Sequence, residues 1–169
     1  DDQRYNTSFL DNKAFDPDNP SDILLGNKEY LPHVMVLHKV SSYRSRQGYS
    51  SLFKNIKALN ISECVFEAAG LFYQNGIIIG NIREIYMKDS VLKNFLSEKP
   101  GSAAFIEGKI GDSSLLIIAN VKFFNCSSFS GGATLFISNI KNIEIIGTYF
   151  LENKARFGLN SKDGYSGIG

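Results

Sequence analysis

The chain has 169 residues, 43% of them apolar and 21% charged, enough for one domain with a sizeable core and too hydrophobic for a disordered segment. A formal net charge of +1 removes the usual electrostatic reason to expect nucleic acid or an anionic membrane surface as partner. The longest apolar runs, at 76–80 and 115–119, have strand length and fall far short of the roughly 18 residues of a membrane span, so direct membrane insertion is not expected.

Residues 1–30 are polar and turn-rich. Asp16, Pro17, Asp18, Asn19, Pro20 and Asp22 crowd one stretch with two of the four prolines, which predicts an irregular N-terminal cap or arm. The first residue is Asp1, without Met or a signal-peptide pattern, so the sequence reads as a processed form or a piece of something longer. Residues 34–37 predict a short buried strand and residues 41–48 a loop.

From residue 51 the chain repeats itself. One unit runs Asn55 to Phe66, a second Asn81 to Leu92, a third Leu116 to Phe123 and a fourth Asn142 to Phe150. The closing residues Phe66, Leu92, Phe123 and Phe150 are spaced by 26, 31 and 27 residues, and the opening residues Leu59, Ile85, Leu116 and Ile143 keep the same spacing. Within each unit the apolar positions fall at offsets 0, 2, 5 and 7, with a small residue (Cys64, Ser90, Val121, Thr148) at offset 5. Even offsets place two side chains on one face of a strand, and the change to odd offsets requires a bend before a second strand. Further apolar stretches at 76–79, 103–106 and 132–137 supply a third strand.

Three short strands in 26 to 31 residues fit one coil of a solenoid. Amphipathic helices, a leucine-rich consensus and four-stranded propeller blades are absent from the pattern. The predicted fold is all-β, a right-handed parallel β-helix of about four to five coils over residues 31–155. Residues 156–169 read as a Gly/Ser-rich tail or the start of a further coil. Twelve residues should be buried: Leu59, Ile61, Phe66, Ile85, Met87, Leu92, Leu116, Ile118, Phe123, Ile143, Ile145 and Phe150. Cys64 and Cys126 lie two coils apart at different offsets, beyond the ~7 Å reach of a disulfide, and read as core thiols.

Phe150-Leu151-Glu152-Asn153 and Gly131-Gly132-Ala133-Thr134-Leu135 resemble the Phe-x-x-Asn and Gly-Gly-Ala-aliphatic motifs of chlamydial polymorphic outer-membrane proteins and similar surface repeat proteins with a pectin-lyase-like β-helix. Thr134 departs from the aliphatic preference. The other coils carry Phe66-Glu67-Ala68-Ala69 and Pro100-Gly101-Ser102-Ala103-Ala104 in place of the motifs. The resemblance implies an extracellular or cell-surface location and a structural or adhesive role without catalysis.

The β-helix fold also hosts polysaccharide lyases and glycoside hydrolases, which makes a carbohydrate-active enzyme, or its inactive relative, the alternative. Such enzymes need paired carboxylates. Here the acids are scattered, and Glu63 and Asp89, 26 residues apart, would merely stack. No catalytic, cofactor or metal residues are expected. His33 and His38 should point to opposite faces of their strand, and the Asp16–Asp22 stretch lacks the central glycine of a calcium loop. Tyr43, Arg44, Arg46 and Tyr49 mix aromatics with cations, which a flexible loop explains without nucleic acid. Asn75, Asn81, Asn94, Asn120, Asn125, Asn139, Asn142 and Asn153 read as turn and ladder residues. Asn6, Asn60 and Asn125 begin Asn-x-Ser/Thr triplets and are the possible N-glycosylation sites. Expected partners are further copies of the chain or neighbouring coils of a longer one, with glycans or other cell-surface ligands.

Overall fold

The computed structural model describes residues 7–10, 21–25, 34–45, 48–68, 74–109, 114–129 and 134–155. The first strands are β1 (Thr7–Leu10) and β2 (Ser21–Leu25), and the next coil holds β3 (Val34–His38), β4 (Val40–Ser45) and β5 (Gly48–Lys54). Then come β6 (Ala58–Ser62), β7 (Val65–Ala68) and β8 (Gln74–Ile82). The following coil has β9 (Glu84–Lys88), β10 (Val91–Lys93), β11 (Leu96–Ser97) and β12 (Ala104–Gly108). Above it lie β13 (Leu115–Ala119), β14 (Lys122–Phe124), β15 (Ser127–Ser128) and β16 (Leu135–Ser138). The last described coil is β17 (Asn142–Ile146), β18 (Tyr149–Leu151) and β19 (Lys154–Ala155).

Each strand pairs in parallel with its equivalents one coil away, so the chain is a parallel β-solenoid with no helix among the described residues. The first sheet is β3-β6-β9-β13-β17, the second β1-β4-β7-β10-β14-β18, the third β2-β5-β8-β12-β16, and a short strip is β11-β15-β19. A single coil has no partner for its backbone or its inward side chains, and stacking supplies both. Leu59, Ile85, Leu116 and Ile143 stand in register, as do Phe66, Leu92, Phe123 and Phe150. The period read from the sequence is therefore the coil.

Nine of the twelve residues predicted to be buried have at most 1% exposure. Ile143, Ile145 and Phe150 do not: they are 49%, 45% and 47% exposed. They face inward, but among the described residues no strand stacks on the far side of β17 and β18. Residues 41–48, read as a loop from their Ser and Arg content, instead supply most of β4 and the start of β5. Polar side chains are compatible with a strand when its backbone is paired on both sides, as β4 is with β1 and β7. Within residues 1–30, β1 and β2 join the stack.

The bends follow one rule. Lys39, Glu63, Asp89, Asn120 and Gly147 occupy successive coils at the corner from first to second sheet, all with φ between 48° and 56°. This left-handed conformation turns the chain within one residue. Each of the first four donates its N–H to the strand-end carbonyl of the next coil, at 2.9–3.2 Å. Asn94, Asn125 and Glu152 do the same service at the next corner, and Asn55, Asn81 and Asn139 at the corner entering the first sheet. At Gly147 a Cβ would lie 2.5 Å from Asn120 Oδ1, so a side chain there would have to displace the Asn120 amide.

The residue after the first bend explains the small offset-5 position. The Cys64 thiol donates to Ser62 O (3.2 Å), the Ser90 hydroxyl to Lys88 O (2.6 Å), and the Thr148 hydroxyl to Ile146 O (3.2 Å). Cys126 repeats this at the following corner, donating to Phe124 O at 3.3 Å. Both cysteines are free and buried. Burial pushes the Cys64 thiol above its ordinary range and the Cys126 thiol up to about 12, so neither is a ready nucleophile.

Candidate functional site

The candidate surface is the outer face of the first sheet, where strand alternation sends every second residue outward. Val36, Asn60 and Tyr86 form one outward column; His38, Ser62 and Lys88 form the next. A shallow trough of about 440 Å³ on this face is lined by Val36, Asn60, Ile61, Ser62, Tyr86 and Lys88. Val36 is 62% exposed. An aromatic ring, an amide, a hydroxyl and an ammonium group thus share one open face.

At the trailing edge of this face His38 Nδ1 lies 2.9 Å from Ser62 Oγ, and its Nε2 lies 3.9 Å from Glu63 Oε1. Lys39 Nζ approaches Glu63 Oε2 at 3.4 Å. A serine, a histidine and a glutamate in sequence suggest a nucleophile with its base. The geometry does not: 3.9 Å exceeds a hydrogen bond, and both His38 and Glu63 side chains are 51% exposed. The backbone N–H groups of these strands lie in the sheet plane, engaged in the parallel ladder, so none is aimed at an oxyanion above Ser62.

The carboxylates go into stacking. Glu63 and Asp89 are successive bend residues, and Asp89 Oδ1 accepts from Asn120 Nδ2 at 3.1 Å. Glu67 binds Lys93 Nζ at 2.8 Å and accepts from Asn94 Nδ2 at 3.1 Å. Glu107 accepts from Asn139 Nδ2. Among the described residues no three His, Cys, Asp or Glu side chains gather as a metal-binding group.

The asparagines behave as ladder residues with three qualifications. Asn125 donates to Asn94 Oδ1 (2.9 Å), and Asn81 donates to Asn55. Asn153, the last residue of the Phe-x-x-Asn motif, accepts from Cys126 N–H (2.9 Å) and donates to Phe123 O (3.0 Å), clamping its coil to the one beneath. Asn142 instead lies within β17, and Asn75 is buried in β8, where it donates to Gly101 O and accepts from Ser97.

Asn60 sits on the outer face of β6 with Ser62 on the same side. Asn125 has its amide in the ladder and its partner Ser127 only 6% exposed. Asn6, Asp16, Asp18, Asn19, His33 and Arg46 lie outside the described residues, while Asp22, Tyr43, Arg44 and Tyr49 fall in β2, β4 and β5. Comparison with protein-family models, curated proteins and solved structures finds no match in any of the three.

Proposed function

We propose that the chain is a non-catalytic structural or adhesion module of an extracellular or cell-surface repeat protein, a stiff β-solenoid spacer akin to polymorphic outer-membrane and pectin-lyase-like repeat proteins. One observation carries this reading. The side chains that the fold shares between coils go into ladders and bends, while the last described coil leaves Ile143, Ile145 and Phe150 about half exposed. An open parallel edge above uncovered inward side chains is a template for another coil. Further copies of the chain, or neighbouring coils of a longer one, complete the stack.

Sedimentation velocity of the 169-residue chain over a wide concentration range tests the self-stacking form, with association that grows with concentration as the expected result. A compact monomer at the highest concentration would overturn it. The carbohydrate-active alternative draws on the trough over Tyr86. Incubation with a uronate polymer, with and without calcium, should produce no unsaturated sugar ends; their appearance in an absorbance assay would favour the enzyme.

A further inference from the structure

The chain has one Asn-Gly pair, Asn75 followed by Gly76 in β8. Both residues are fixed by the coil above. Asn75 is 7% exposed and points inward, on the alternation that also buries Ile77 and Ile79. Its amide donates to Gly101 O (3.4 Å), and its Oδ1 accepts from the buried Ser97 hydroxyl at 2.8 Å. Gly76 N–H donates to Ser102 O at 2.7 Å, and Ile77 N–H to Ala103 O at 2.8 Å. A Cβ on Gly76 would clash with Ala103 O, which the strand pairing holds in place. The packing therefore asks for glycine at 76 and for a side chain that both donates and accepts at 75.

An asparagine followed by glycine is prone to lose its side-chain amide unaided, because no side chain keeps the next peptide nitrogen from Cγ. The Gly76 nitrogen bonds to Asn75 Cγ, and the side-chain nitrogen leaves with its proton as ammonia. Water then opens the resulting five-membered imide. Opening at one carbonyl leaves aspartate; opening at the other leaves isoaspartate, with the chain running through Cγ. Water is the only co-reactant. Asn55, Asn60, Asn81, Asn139 and Asn142 each precede Ile, and Asn120 precedes Val, whose branched side chains crowd the attacking nitrogen.

We propose that Asn75 is a self-modifying site, held inert by the stack and converted once β12 lifts off β8, with a product that prevents restacking. In the stacked form the Gly76 N–H is engaged with Ser102 O, and the Asn75 side chain is tied to Ser97 and Gly101. Neither reacting group is free to reach the other. Opening of the coil above releases both. A carboxylate in place of the amide has no donor for Gly101 O and sets a charge in a nearly buried position. Isoaspartate lengthens the backbone and throws the alternation of β8 out of phase with β5 and β12, which displaces Ile77 and Ile79. The reaction is thus a one-way mark on molecules whose coil has opened. It goes beyond the structural reading above and does not rest on it.

Incubation of the full chain at mildly alkaline pH, folded and in urea, tests this. Peptide mass spectrometry with enzymatic methylation of isoaspartate follows Asn75. Because the reaction runs through the open form, the folded chain should react at least about tenfold more slowly than the urea-unfolded chain. Ser97→Ala removes one tie to the side chain and leaves the Asn75-Gly76 pair intact. With far-ultraviolet circular dichroism unchanged, it should react at least about threefold faster than the unaltered folded chain. Chain converted in urea should regain its native circular dichroism less completely than unconverted chain taken through the same cycle. Equal rates in the folded and unfolded chain, no acceleration in Ser97→Ala, or full refolding of the converted chain would each overturn the proposal. So would faster conversion of another described asparagine in urea.

Discussion

Phe123 and Phe150 occupy the same column one coil apart, their rings stacked with centroids 5.1 Å apart. Phe123 is fully buried and Phe150 is 47% exposed. Leu116 and Ile143 differ in the same way, 0% against 49%. Nothing local separates the members of either pair, which share sheet, face and register. Inwardness in a solenoid is a property of the strand, while burial is a property of the coil above it.

The largest effect should come from truncating the covered ring. Phe123→Ala leaves a cavity between two coils and should cost about 3–5 kcal/mol in urea unfolding. Phe150→Ala loses one stacked contact on an open end and should cost about 1 kcal/mol. Equal costs would mean that the last coil is covered in solution, by a second copy or by chain outside the described residues.

The next effect is a pH dependence that reports whether the last coil stays docked. The Cys126 N–H is capped by Asn153 of that coil, and desolvation raises its thiol from 9.0 to about 12. As pH rises above 9, an unfolded thiol loses its proton while the folded one keeps it. The thiol's contribution to stability therefore falls with rising pH across that window, by at most about 1.4 kcal/mol per pH unit. Urea titrations of the unaltered chain and Cys126→Val at pH 9 and at higher pH should diverge, the unaltered chain losing more. Parallel behaviour would show that the last coil does not shield Cys126.

The smallest effects belong to two bend residues of the open coil and should have opposite signs. Glu152 has φ of 56° and is exposed, so Glu152→Gly relieves a strained bend and should stabilise by up to about 1 kcal/mol. Gly147→Ala places a Cβ against Asn120 Oδ1 and should destabilise by about 1–2 kcal/mol. Thermal melting of both variants checks the signs.

The inward positions of the interior coils were readable because a strand alternates with period two and a solenoid repeats by coil. Leu59, Ile85 and Leu116 are spaced as their neighbours in space require. The bend between Ile61 and Cys64 was visible as a change of phase, although the residue that makes it, Glu63, carries no turn signature and was read only as a scattered acid. Residues 41–48 were misread for the complementary reason: Ser and Arg look like loop when considered alone, and a paired backbone on either side outweighs that preference.

The sequence by itself determined the coil period, the strands that face inward and the free state of the cysteines, because each follows from spacing along the chain. Only the tertiary structure decided which inward residues are covered and which acids and asparagines bond across coils. Those properties depend on what lies about 4.8 Å above or below a residue, and that neighbour is 22 to 34 positions away along the chain in the contacts that hold the stack together.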